Sequence, residues 1–123
     1  LNGERAVRRV EHWKGIAQSA CSQSGRNFLP QIDVPLSLND FLNGNQSHAQ
    51  SLNIILSLQA QAPAWRELWT MRPSHMTLLT GPEGGLTSEE EASAFQHGFV
   101  AASLGPFVLR AETAALAVLA QLL

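Results

Sequence analysis

The pattern of apolar and polar positions switches repeatedly between a helical and an extended period. From Glu4 to Ser24, Val10, Trp13, Ala17 and Ala20 recur at helical spacing, and Gly25 stands where a C-terminal cap belongs. Phe28 to Val34 reads as a short extended segment bounded by Pro30 and Pro35. Ser37-Leu38-Asn39-Asp40 has the serine-to-acid spacing of a helix start, and Leu38, Phe41 and Leu42 give that short helix an apolar side before Gly44. Asn43 to Ser51 is polar and reads as a surface loop, followed by an apolar run of strand length, Leu52 to Leu58. Between Pro63 and Pro73, Trp65, Leu68 and Trp69 fit one helical turn on the core. Met76 to Thr80 is the next strand. Thr87-Ser88-Glu89-Glu90 then opens a helix with a capping box, with Ala92 and Phe95 as its inner side and Gly98 as its end. Phe99 to Leu104 is the last strand, and Ala111 to Leu123 the last helix.

Strands alternating with helices predict an α/β fold, a mainly parallel sheet with helices on both faces. The last helix is apolar all round from Ala114 to Leu119, a pattern that calls for burial on every side. Another subunit or the domain's own sheet can each provide that cover. The chain has 123 residues, 45% of them hydrophobic, which is one domain's worth of globular protein. Neither a membrane-length apolar run nor a signal-peptide pattern occurs, so no membrane partner is expected. The lone Cys21 rules out an internal disulfide, fits a reducing cytoplasm, and sits in a helical pattern as a buried thiol. A net charge of −2 is unusual for a nucleic-acid binder, and the one basic concentration, Arg5, Arg8, Arg9 and Lys14, reads as a solvated helix face.

Two apolar runs stop abruptly in Gly-Pro before a helix: Met76 to Thr87, which contains Gly81-Pro82-Glu83-Gly84-Gly85, and Leu104 to Ala114. Such loops present free N–H groups at the helix start, a place for a polar or anionic ligand group, and two of them suggest one shared pocket. Ordinary strand-to-helix turns would look the same. Phosphate-loop, GxGxxG, HExxH and GxSxG motifs are absent, and the four histidines have no metal-ligand spacing, so no metal is expected. Group transfer on a bound cofactor is the enzyme reading that remains.

The residues between the glycines carry more. GPEGGLTSEE followed by GF, LGP, VLR and AETA resembles the α/β-knot (SPOUT) class of S-adenosylmethionine-dependent RNA methyltransferases. Within that class it is similar to the family that methylates N3 of a uridine in 16S ribosomal RNA. Trp13, Ile16, Ala17 and Gln23-Ser24-Gly25-Arg26 through Pro30 resemble the same family upstream. The resemblance implies a C-terminal trefoil knot that forms the cofactor pocket, a homodimer joined through the C-terminal helix, and the small ribosomal subunit as partner. It also implies an RNA-binding barrel and first sheet elements ahead of Leu1, so residues 1–123 are expected to be part of a methyltransferase domain. A non-catalytic knotted module for cofactor binding or dimerisation is the alternative.

Carried onto this chain, the resemblance marks cofactor-binding positions in three places. They are Leu56 after the first apolar run, then Thr80, Gly81, Glu83, Gly84 and Gly85, and finally Leu104, Gly105, Leu109 and Thr113. N3 of uridine carries a proton that must be lost before or during methyl transfer. Arg110 is the candidate for substrate or anion contact and Glu112 for orientation or proton removal. An Arg110–Glu112 pair or a helix cap is the structural alternative, and Glu83 could equally hold the first loop in shape. Phe107 stands where most members have arginine, and Leu56-Ser57-Leu58 replaces a segment that commonly carries a His-Pro pair. Both departures bear on substrate binding.

Overall fold

A computed structural model describes residues 3–44, 51–56, 64–70, 72–82, 85–103 and 111–121. The chain divides into two compact units, Leu1–Ser37 and Leu38–Leu123.

The first unit is built on α1 (Gly3–Ser24). Its buried residues are Ala6, Val10 and Cys21, with Ala17 half-buried. The expected apolar line was therefore placed slightly off, since Trp13 is 37% exposed and Ala20 is exposed. Small residues one or more turns apart form the inner line, and the indole lies on its flank. The helix ends as its glycine predicts. Gly25 has φ +77°, and the Arg26 amide donates to the Cys21 carbonyl at 3.0 Å, the bond that closes a left-handed C-terminal cap. Cys21 is a free, buried thiol whose Sγ faces the Phe28 carbonyl at 3.6 Å. Phe28 to Val34 joins no sheet, and Phe28, Leu29 and Val34 are exposed. Proline at position 30 removes a ladder donor, which is one reason the segment pairs with nothing.

The second unit contains α2 (Leu38–Gly44), β1 (Ser51–Leu56), α3 (Trp65–Trp69), β2 (His75–Leu79), α4 (Ser88–Gln96), β3 (Phe99–Ala102) and α5 (Ala111–Gln121). The three strands are parallel in the order β2-β1-β3. Ile55 pairs with Leu79 on one side and Ala101 on the other, so all three strands end at one level. The last two residues of the first expected strand lie outside the described residues.

Alternation along β1 divides the core between the two faces of the sheet. Leu52 and Ile54 pack with Trp65 of α3, with Ala102 of β3 and with Val118 of α5, and Leu56 and Leu68 join them. Ile55 packs on the other face with Leu42 of α2, Ala94 of α4 and Phe99. Helices thus cover both faces, as the strand–helix alternation predicts. Full burial of a side chain such as Ile54 contributes about 1.5–3 kcal/mol.

Two packing expectations differ from the structure. Ala94, not Ala92 or Phe95, is the inner residue of α4; Ala92 is exposed and Phe95 is 46% exposed. A methyl group at the contact lets the helix lie close over Ile55 and Phe99, where a phenyl ring would hold it away. The last helix is not covered all round either. Val118 is fully buried, while Leu116 and Leu119 are exposed on this chain.

Candidate functional site

The strand order decides where the site lies. From the end of β1 the chain passes to α3 on one face, and from the end of β2 it passes to α4 on the other. Adjacent parallel strands whose connections leave to opposite faces open a crevice beyond their carboxyl ends, where α/β proteins bind ligands. Leu56 is the half-buried last residue of β1, and Thr80 directly follows β2. Each stands one residue past the Ile55–Leu79 pair, so both border that crevice.

The loop after Thr80 is shaped by its glycines in two different ways. A Cβ on Gly81 would lie 2.7 Å from the Leu86 nitrogen, 2.8 Å from the Gly85 carbonyl carbon and 3.1 Å from Leu86 Cγ. Only glycine allows that approach. Gly85 has open space around it but adopts φ +79°, which disfavours a side chain for conformational reasons. Its amide donates to the Pro82 carbonyl at 2.7 Å, closing a four-residue turn. Leu86, which the sequence reading did not single out, packs with the Leu42, Ile55, Ala94 and Phe99 cluster and walls the turn. An apolar residue between the glycine pair and the capping box was its signal.

The start of α4 is closed by its own side chains. Thr87 Oγ1 accepts from the Glu90 amide at 3.1 Å, and Glu90 Oε1 accepts from the Thr87 amide at 2.9 Å. Glu89, Glu90 and Glu91 add three carboxylates to the first turn. This end of the helix is therefore no anion site, contrary to what the first Gly-Pro loop suggested, while the second loop lies outside the described residues. What the described residues of the first loop offer a ligand is backbone at the strand edge.

At the other side of β1, Ser103 continues β3 and forms a parallel bridge with Ala64. The Trp65 amide donates to the Ser103 carbonyl at 3.0 Å, tying the start of α3 to the end of β3. The chain resumes at α5, whose third residue, Thr113, is exposed. Glu112 lies in the first turn of α5, with its side chain outside the described residues. Glu83, Gly84, Leu104, Gly105, Leu109 and Arg110, and also Phe107, fall outside the described residues. Leu56, Thr80, Gly81 and Gly85 are thus the expected positions that the structure gathers at one edge of the sheet. Among the described residues no group of three His, Cys, Asp or Glu could hold a metal ion, and no helix is long and apolar enough to cross a membrane.

A family model described as an RNA methyltransferase domain matches residues 1–123. The chain belongs to that family. It is 33% identical over 117 residues to the ribosomal RNA small subunit methyltransferase E of Synechocystis, an alignment covering 93% of this chain and 38% of that protein. A solved Legionella pneumophila protein, in complex with the bound cofactor S-adenosylmethionine, superposes with a TM-score of 0.86 at 37% identity. That match covers 99% of this chain and 48% of the other. The ribosomal RNA small subunit methyltransferase E of Neisseria gonorrhoeae, bound to S-adenosylmethionine, gives 0.84 at 35% identity, over 96% of this chain and 48% of that one. The methyltransferase-family chain described here therefore spans less than half the length of these relatives.

Proposed function

We propose that this chain is part of an S-adenosylmethionine-dependent methyltransferase acting on N3 of a uridine in 16S ribosomal RNA, in the cytoplasm. The observation that carries the reading is the Gly81–Leu86 turn at the carboxyl ends of β1 and β2, in a chain whose relatives of the same fold are solved with that cofactor. The residues present fit the cofactor. Leu56 gives the crevice an apolar wall, Thr80 and Gly81 border it with backbone and a hydroxyl, and the glycine leaves the edge uncluttered. Glu83, Gly84, Gly85, Leu104, Gly105, Leu109 and Thr113 complete the proposed binding set through the resemblance stated above.

S-adenosylmethionine, when bound, supplies a methyl group already activated for transfer. The protein's work is then to hold the acceptor nitrogen in line and to keep water out. Arg110 stabilises the uridine as it loses the N3 proton, and Glu112 orients the base or takes that proton. Closure of the pocket by a C-terminal trefoil knot and a homodimer through α5 belong to the same proposal. The exposed Leu116 and Leu119 support the dimer, because a second copy would cover them.

Phe107 in the usual arginine position favours one second reading, a cofactor-binding or dimerisation module without turnover. One experiment separates the two. Calorimetric titration with S-adenosylmethionine is expected to give micromolar affinity, about −8 kcal/mol. Labelled methyl transfer to small-subunit particles, with the product nucleoside mapped, then reports turnover. Binding without transfer selects the cofactor-binding module, and absence of binding removes the enzyme reading and leaves only a dimerisation module.

A further inference from the structure

The charges of the chain are divided unevenly between its two units. Residues 1–37 hold Arg5, Arg8, Arg9, Lys14 and Arg26 against Glu4, Glu11 and Asp33, a net charge of +2. Residues 38–123 hold three arginines against seven carboxylates, a net charge of −4. Such asymmetry within an acidic protein is a mark of a polyanion contact.

The geometry of α1 sharpens this. At 100° per residue, Arg5, Arg8, Arg9 and His12 fall within an arc of about 100°, centred about 140° from the buried line of Ala6, Val10 and Cys21. All four are exposed. Both acids of the helix, Glu4 and Glu11, lie outside the arc, and Glu11 draws Lys14 to the far flank at 3.8 Å. No carboxylate of α1 falls within the stripe, which runs about 10 Å along the helix axis, with Arg5–Arg9 and Arg8–His12 each one turn apart. Arg5 is already engaged by another group, which leaves Arg8 and Arg9 as the residues to test.

We infer that this stripe is a contact surface for the phosphate backbone of RNA, an inference that rests on the proposed rRNA methyltransferase reading. Guanidinium forks match phosphate oxygens in pairs, and the neighbouring Arg8 and Arg9 on one exposed helix face meet backbone phosphates without reading bases. The contact positions RNA; it does not select the nucleotide. Few phosphates are neutralised, so binding is weak, with a salt slope of about 1 for each phosphate contacted.

The test measures RNA affinity of the chain against salt, with a small-subunit rRNA fragment, for wild type, Arg8→Gln/Arg9→Gln and Arg8→Lys/Arg9→Lys. Circular dichroism checks that the helix is kept, and calorimetry with S-adenosylmethionine is run on each variant. The glutamine pair is expected to flatten the slope of log affinity against log salt by about 1 per arginine. A fourfold rise in salt then weakens wild-type binding about sixteenfold more than it weakens the variant. Cofactor affinity stays unchanged, and the lysine pair keeps the wild-type slope. An unaltered slope in the glutamine pair overturns the inference. So does a wild-type chain that binds cofactor but no RNA at 50 mM salt, an outcome that leaves the methyltransferase reading standing. Flattening of the slope in a chain that fails to bind cofactor supports the stripe and removes the methyltransferase reading. Equal, equally salt-sensitive affinity for polyglutamate would assign the stripe to acidic proteins instead.

Discussion

Gly81 and Leu86 approach so closely that a Cβ on the glycine would stand 2.7 Å from the leucine nitrogen. The obstructing atoms are backbone, so they cannot swing aside as a side-chain tip would. Gly81→Ala is expected to displace the turn, lowering stability by about 1–3 kcal/mol and S-adenosylmethionine affinity at least tenfold. Gly85→Ala meets open space and a positive φ, and should cost only about 1–2 kcal/mol. Urea denaturation and calorimetry on both variants check the difference; wild-type cofactor affinity in Gly81→Ala would dissociate this turn from the site.

The capping box on α4 fixes where the loop ends and the helix begins. Thr87→Ala removes the acceptor of the Glu90 amide and should destabilise the chain by about 1 kcal/mol. Because Thr87 lies next to Leu86, the same change should loosen the turn and increase amide exchange at Gly85. Exchange as slow as in wild type would show that Leu86 packing alone holds the loop.

Residues on α5 should separate folding from assembly. Val118→Ala removes atoms from the core between α5 and β1 and is expected to cost about 2 kcal/mol of unfolding free energy. Leu119→Glu changes an exposed position, so the single chain should keep its fold. A dimer through α5 would instead trap an unpaired charge and lose several kcal/mol. Sedimentation is expected to show a wild-type dimer and a Leu119→Glu monomer. A wild-type monomer at high concentration would contradict the proposed interface.

The two charged candidates beside the second loop differ in what they should alter. Arg110→Ala is expected to slow methyl transfer about 10²–10³-fold, with cofactor affinity close to wild type. Glu112→Gln should slow transfer and remove part of its rise with pH, because a carboxamide cannot accept the N3 proton. Single-turnover transfer across a pH series distinguishes them. Equal pH profiles in wild type and Glu112→Gln would leave Glu112 a positioning role at most.

The sequence by itself determined the elements and their class. Hydrophobic period, Gly25 and Gly98 at helix ends, and Thr87 with Glu90 at a helix start are local signals, because each depends on neighbours within one turn of chain. The loop carrying Gly81 and Gly85 was legible as a turn for the same reason, but only the resemblance of its GPEGG segment to a methyltransferase family marked it as a ligand site, since ordinary strand-to-helix turns look the same. Tertiary structure decided the rest. Strand order β2-β1-β3 sends α3 and α4 to opposite faces and so puts the crevice beside Leu56 and Thr80, a consequence of long-range pairing that no local period encodes. It also chose Ala94 over Phe95 for the inner face of α4, because the distance to Ile55 and Phe99, not hydrophobicity alone, sets which side chain fits. The close approach at Gly81 likewise arises only when the turn folds back beneath Leu86, and the outward face of the basic residues on α1 only when Ala6, Val10 and Cys21 are buried.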